Sequence, residues 1–335
     1  MAIRHKPIRL GMLRCDTHAY WYAPFMVKTD PLKFREHNPV CHHFFTNMYQ
    51  PTQWEFKPVS GFKLACVWDA DRDVAERFAS TYDDRPTVCD SPQAMVGHID
   101  AAFIANCDLD GDDHLELARP FLKAGLPTFI DKPFARSWAD AKQIVRLATK
   151  HGAPLFSSSL LSYTDQVEQL KKRKGEIGPW RQAIVKGANG WTSDSGLEGI
   201  AHGIAMALAT FGFGVDWVEA MGELPQEYLL LHWPDGRQIL VINMDGRNYG
   251  GRFSVEVFGR RGTSNTPVRT NIESHGVGDP EFMTAGPKVV KAFRRMVRTG
   301  EAPVAYDRIL QWKKIAEAGR IAHASGKRVY LKSVR

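Results

Sequence analysis

A chain of 335 residues, 44% hydrophobic and 24% charged, is long enough for two ordinary domains and has the composition of a water-soluble globular protein. No apolar run approaches the roughly 18 residues of a membrane span, and the opening residues 1–7 carry basic side chains with no apolar stretch behind them, so no membrane partner or secretory leader is expected and a cytoplasmic location is. The net charge of +7 is modest, and Lys and Arg cluster only at 171–174 and 294–295, as solvated helix faces would; nucleic acid is not an expected partner, whereas a small anion is compatible.

The first 157 residues alternate strand and helix patterns. Short apolar runs at 8–13, 62–68, 100–105, 127–130 and 154–157 read as buried strands. Between them, helical spacing of apolar residues appears at 72–82 (Val74, Phe78, Tyr82), at 115–124 and at 138–151 (Ala141, Ile144, Val145, Ala148). Ser137 is placed to cap the last of these helices, and Gly152 to end it. Strands separated by helices imply right-handed crossovers and a parallel sheet.

The stretch 28–61 interrupts this order. It lies between a first helix, expected at about 17–27, and the second strand, and it is rich in Pro, His and aromatic residues. So long a connection is expected to be a functional or structured insertion. His37, Cys41, His42 and His43 place soft ligands there, with His18 near. Adjacent histidines rarely share one ion, and no metal-binding spacing is present, so no metal is expected. Packing by Phe44, Phe45, Tyr49 and Trp54 over the nucleotide cleft, or in a subunit contact, is expected instead. The five cysteines, Cys15, Cys41, Cys66, Cys89 and Cys107, are expected to be reduced thiols.

The second half changes character. One helix is expected at 197–211, followed by strands at 215–221, 228–232, 238–244 and 253–258, with a hairpin turn at Pro234-Asp-Gly-Arg237. Helices at 281–298 and 307–324 close the chain. Successive strands with short turns predict a largely antiparallel open sheet over 178–262, and the division between domains is placed at 157/158.

Ile130-Asp-Lys-Pro-Phe-Ala135, after an apolar strand and before a capped helix, resembles the Glu-Lys-Pro segment of the Gfo/Idh/MocA oxidoreductases, with Asp131 for the usual Glu. Around it, Ile99-Asp-Ala-Ala-Phe-Ile-Ala105, His114-x-Glu-x-Ala118, Leu122-x-x-Gly125 and the closing Tyr306–Leu331 are similar to the family's elements in the same order. The resemblance implies an α/β and α+β chain: a Rossmann-like nucleotide-binding domain, 1–157, and a substrate and oligomerisation domain, 158–335. It implies a nicotinamide-dependent oxidoreductase acting on a sugar, cyclitol or related polyol. An open sheet with one helix layer finds its second cover in another subunit, so a homodimer or homotetramer is expected.

The same resemblance places Asp131, Lys132 and Pro133 against the cofactor and makes Lys132 a donor to a substrate hydroxyl, at the sheet edge where such sheets bind ligands. Glu198 and His202, four apart on one helix face, are similar to the family's Asp-x-x-x-His pair, in which His handles the hydroxyl proton and the carboxylate orients it. The family's usual Asp three residues after that His is here Ala205. Asp69, ending the second strand, either accepts from the adenosine ribose, which favours NAD over NADP, or caps the next helix; Arg72 nearby keeps NADP open. Trp180 and Trp191 are either sugar-stacking platforms or sheet core.

One part of the pattern is missing. The family's first strand runs into a glycine-rich turn that lets the backbone approach the diphosphate, but here Arg14 and Asp16 stand where glycines belong. Asp16 would repel a diphosphate, while Arg14 can pair with one. A non-redox family member, a lyase, hydrolase or binding protein for sugar derivatives, is therefore the alternative.

Overall fold

A computed structural model describes residues 6–47, 50–54, 56–106, 111–189, 200–223, 226–245, 253–268 and 280–335. Its contacts divide the chain into two units, 1–158 with 286–306, and 159–285 with 307–335.

In chain order the first unit contains β1 (Ile8–Leu13), α1 (Thr17–Tyr22), a 3-10 turn (Ala23–Phe25), α2 (Pro31–His37), α3 (Pro39–Phe45), β2 (Thr46–Asn47), β3 (Gln50–Trp54) and β4 (Phe62–Trp68). It continues with α4 (Arg72–Ser80), β5 (Thr87–Val88), α5 (Pro92–Met95), β6 (Ala101–Ile104), α6 (His114–Lys123), β7 (Thr128–Ile130), α7 (Trp138–His151) and β8 (Leu155–Phe156). Six strands form one sheet in the order β5-β4-β1-β6-β7-β8, every pair parallel. The expected Rossmann-like sheet is thus present, with β1 central. Leu10, Met12 and Leu13 are fully buried there, and Gly11 leaves room for α5: a Cβ would stand 2.7 Å from both Ile99 and Met95 side chains.

Local chemistry sets the helix ends. The Ser137 hydroxyl accepts from Asp140 N at 3.0 Å, and Gly152 at φ 65° ends α7 as expected. The first helix is shorter than the 17–27 anticipated: Pro24, with no backbone N–H, stands where the chain tightens into the 3-10 turn. Helix α4 stops at Ser80, and Tyr82 instead forms an isolated bridge with Thr29.

The insertion is structured. Asp30 and Asn38 cap α2 and α3, each with Pro at the start, and β2–β3 is a hairpin. Phe25, Phe34, Phe45, Trp54 and Phe56 pack together, with Phe34 edge-on to Trp54 at 5.4 Å and Phe45 edge-on to Phe56 at 5.3 Å. Tyr49 lies outside the described residues. The imidazoles there have separate partners, His37 Nδ1 at Thr81 Oγ1 (2.8 Å) and His42 Nε2 at the Pro51 carbonyl (2.7 Å), and no metal-holding group of three ligands occurs among the described residues.

The second unit contains a 3-10 turn (Leu160–Tyr163), α8 (Asp165–Lys172), α9 (Lys174–Ile177), β9 (Trp180–Asn189), α10 (Ala201–Phe211), β10 (Trp217–Glu223), β11 (Gln226–His232), β12 (Gln238–Asp245), β13 (Phe253–Gly259) and β14 (Gly262–Val268). Then come α11 (Pro280–Thr299), whose residues from Gly286 onward belong to the first unit, α12 (Tyr306–Ser325), β15 (Val329–Tyr330) and a last 3-10 turn (Leu331–Ser333). Its sheet runs β14-β13-β9-β12-β11-β10-β15 and is antiparallel except for β9–β12. Helix α10 is apolar almost all round and buried against β9 and β12. Trp180 is 5% exposed and edge-on to Phe211, so it is core rather than a sugar platform; Trp191 lies outside the described residues. No described helix is long and apolar enough to cross a membrane.

Candidate functional site

In an open parallel sheet, ligands bind beyond the C-terminal strand ends where the strand order reverses. Here that point lies between β1 and β6, each leading directly into polar residues: Arg14 after β1, Asn106 beyond β6, Asp69 after β4 and Asp131 after β7.

Arg14 is held inside this edge. It adopts φ 60°, a left-handed conformation uncommon for a residue with a Cβ. Its Nε donates to Asp113 Oδ2 at 2.7 Å, its Nη2 pairs with the same oxygen, and its Nη1 lies 3.6 Å from Asp69 Oδ1. Asn106 Nδ2 donates to the other Asp113 oxygen at 2.6 Å, and the guanidinium sits 5.7 Å from the Trp68 ring centre. Asp69 does not cap α4; Asp71 does. Instead, Asp69 accepts from the backbone N–H of Cys15 at 2.8 Å and of Asp71 at 3.0 Å.

Three backbone donors of the β1–α1 turn are thus paired within the protein. Arg14 N donates to the Trp68 carbonyl, Cys15 N to Asp69, and His18 N to Asp16 Oδ1 at 2.8 Å. Cys15 is 1% exposed, and burial, then the nearby Asp69 and Asp16 charges, push its thiol well above the ordinary range, so it is no nucleophile. With these amides spent, a carboxylate capping α1 and Arg14 shared between two acids, the turn as it stands does not fit a dinucleotide diphosphate.

The Lys-Pro segment is different. Asp131 is 1% exposed; His18 Nδ1 bonds to its Oδ2, and the Tyr22 hydroxyl donates to its Oδ1 at 3.3 Å. Lys132 is half-buried, and its ammonium makes no hydrogen bond or ion pair among the described residues. Pro133 is buried, joined to Lys132 by a cis peptide. Gly111 packs so closely on this segment that a Cβ would stand 2.8 Å from the Pro133 carbonyl oxygen. His114 Nδ1 lies 3.3 Å from the Phe134 carbonyl; the ring is fully buried, its Nε2 has no partner among the described residues, and burial lowers its pKa against the opposing pull of Asp113 and Asp131.

In the second unit, His202 stands on α10 with Nδ1 2.7 Å from Ser159 Oγ and its ring edge-on to Phe253. Glu198 lies outside the described residues, as do 197–199 of the helix expected there. The structure therefore brings Arg14 and Asp69 together in one cluster and holds Asp131 next to Lys132 in the first unit, and places His202 in the second. Reasoning from sequence missed Asp113 and Asn106, which are distant in the chain, and the partnership of His18 and Tyr22 with Asp131. The four-residue spacing of His18 and Tyr22 was a usable signal for the last.

Comparison with known proteins bears on this geometry. Residues 43–159 match the family model described as oxidoreductase family, NAD-binding Rossmann fold (GFO_IDH_MocA). Over that stretch the chain is similar to the Gfo/Idh/MocA family. It is 23% identical over 230 residues to an inositol 2-dehydrogenase/D-chiro-inositol 3-dehydrogenase of Shouchella clausii (strain KSM-K16), covering 62% of this chain and 66% of that relative, a little under two thirds of its length. Among solved structures it resembles GenD2 from gentamicin A biosynthesis in complex with NAD (TM-score 0.76, 15% identity, 97% of each chain). It also resembles scyllo-inositol dehydrogenase from Lactobacillus casei with bound NAD(H) and scyllo-inositol (TM-score 0.72, 16% identity, 98% of this chain and 100% of that one). At these identities the structural likeness is one of fold.

Proposed function

We propose that this chain is a nicotinamide-dependent oxidoreductase of the Gfo/Idh/MocA type, acting on a sugar, cyclitol or related polyol. The observation that carries this reading is Lys132, two residues after β7 in a Lys-Pro segment of the family's type, whose ammonium has no partner among the described residues. A half-buried ammonium with free donors can hold a substrate hydroxyl and favour its oxyanion. The cyclitol dehydrogenases among the relatives support the substrate class. His202, with Glu198, is the proposed proton handler contributed by the substrate domain, residues 158–335, which also supplies the contact for a homo-oligomer; a cytoplasmic location accompanies the reading. NAD is favoured over NADP because Asp69 opposes a 2′-phosphate. Since the diphosphate turn is closed by its own hydrogen bonds, the dinucleotide is expected to bind weakly.

The closed turn also favours a second reading, in which the site keeps the polyol and carries out elimination or hydrolysis without a dinucleotide. Titration calorimetry with NAD and with NADP, together with the near-UV absorbance of the purified protein, separates the two. Weak NAD binding with weaker NADP binding supports the first reading. No binding of either promotes the second, and tight NADP binding overturns the assignment of Asp69.

A further inference from the structure

The carboxylate that closes β7 has a use beyond replacing the family's Glu. Asp131 is buried, and α1 meets it with two side chains one turn apart: His18 on one oxygen and Tyr22 on the other. An ionised carboxylate only accepts, so the bond fixes the proton of a neutral His18 ring on Nδ1 and leaves the lone pair on Nε2. The Asp131 backbone N–H is itself tied to the Ile104 carbonyl at 2.9 Å, so the carboxylate is anchored to the sheet rather than to a loose loop. The His18 side chain is 19% exposed, and Nε2 has no partner among the described residues. Buried acid, oriented imidazole and an outward lone pair are the arrangement of a general base. Its acid lies in the same segment after β7 as Lys132, the next residue, and its imidazole lies on α1, directly after the turn that a dinucleotide diphosphate does not fit.

We propose that His18 is a catalytic base of the first unit, with Asp131 and Tyr22 as its positioning residues, acting on a hydroxyl of a polyhydroxylated small molecule. The substrate class rests on the reading above; the base does not. In the step, the substrate O–H bond breaks, the proton passes to Nε2, and the electron pair remains on the substrate oxygen. The imidazolium formed is balanced by the Asp131 carboxylate, the residue before Lys132. In an oxidation the carbon that bears this oxygen then gives up hydride, and in a hydrolysis the same base takes its proton from water instead, so the base itself does not depend on which of the two readings holds.

The test uses the full chain and two measurements. The first is nitrogen NMR of histidine-labelled protein, with the His18 signal assigned by its loss in H18Q. In the neutral form of the ring the proton is expected on Nδ1; a neutral form protonated on Nε2 overturns the proposal without any change to Asp131. The second is carbethoxylation by diethyl pyrocarbonate, which attacks an unprotonated ring nitrogen, read by peptide mass spectrometry over the twelve histidines. His18 should react faster than the exposed His43, His98 and His151, and D131N should slow it by about tenfold while leaving those three unchanged. Equal rates, or no response to D131N in a folded variant, overturn it. Myo-inositol at millimolar concentration is the probe for the substrate class. Shielding of His18 supports a polyol at this edge; a reactive, Asp131-dependent His18 that inositol leaves unshielded keeps the base and removes the polyol.

Discussion

Arg14 and Asp113, 99 residues apart, are joined by a hydrogen bond from Nε to Oδ2 at 2.7 Å, and this pair fills the turn where the family's fold would hold a diphosphate. Arg14 pays for the position in backbone strain at φ 60°. Glycine relieves that strain and alanine does not, so R14G should be more stable than R14A by about 1 kcal/mol. Both should be less stable than the parent on losing the Asp113 bond, R14A by about 1–3 kcal/mol. Urea denaturation of the three proteins checks the order, and equal stability of R14G and R14A would show that the turn relaxes.

The cluster sets two carboxylates, Asp69 and Asp113, against one guanidinium. A diphosphate approaching it meets net negative charge, and the one cation is engaged. D113N removes one negative charge and loosens Arg14, so it should tighten NAD binding by about tenfold, the worth of one recovered charge-assisted hydrogen bond. D69N should instead narrow the preference between NAD and NADP. Calorimetry with both nucleotides reads each change, and D113N without effect on either would separate the cluster from the cofactor.

Lys132→Ala should lower turnover by about a hundredfold or more. Stability should move by less than about 0.5 kcal/mol, as for a surface substitution, because the ammonium has no partner among the described residues to lose. Steady-state rates on a panel of cyclitols, set beside thermal denaturation, give the two readouts. Near-normal turnover would remove Lys132 from the chemistry.

Two buried imidazoles make stability depend on pH. Burial lowers the pKa of His114, opposed by Asp113 and Asp131. Burial also lowers that of His42, opposed by the Pro51 carbonyl and helped by Arg35 and His43. The unfolded chain takes up protons near pH ~6.5 while the native rings remain neutral to lower pH, so the unfolded state binds more protons. This contribution is present above that pH and lost as pH falls, at up to about 1.4 kcal/mol per pH unit for each ring. Urea midpoints at pH 7.5 and 5.5 should fall in the parent and fall less in H42Q, whose amide can still reach the Pro51 carbonyl.

The sequence made the parallel sheet legible because β1, β4, β6 and β7 are short, mostly apolar runs separated by helical patterns, and period is a local signal. The strands β9 and β14 escaped for opposite reasons. β9 draws its partners β12 and β13 from 50 or more residues away, and β14, Gly-Thr-Ser-Asn-Thr-Pro-Val, is an edge strand with no apolar alternation. At the site, Lys132 and Asp131 were legible from one segment and Asp69 from its place after a strand. The Arg14–Asp113–Asn106 cluster was not, since nothing local in a chain says which acid will meet which base across the end of a sheet.

A close backbone approach in the second unit gives the last prediction. Gly187 on β9 faces Gly203 on α10, and a Cβ on Gly187 would stand 2.9 Å from both the Cα and N of Gly203. Those are backbone atoms of a buried helix, so no rotamer change can make room and the helix must move off the sheet. G187A should therefore destabilise the protein by about 1–3 kcal/mol. Gly175 in α9 is the control: a Cβ there meets nothing within 4 Å, and alanine should be neutral or stabilising by up to about 1 kcal/mol through helix propensity. Thermal or urea denaturation of both variants tests the contrast. A G187A protein as stable as G175A would mean that α10 and β9 do not pack backbone to backbone, and with it would go the placement of His202 on a helix fixed to that sheet.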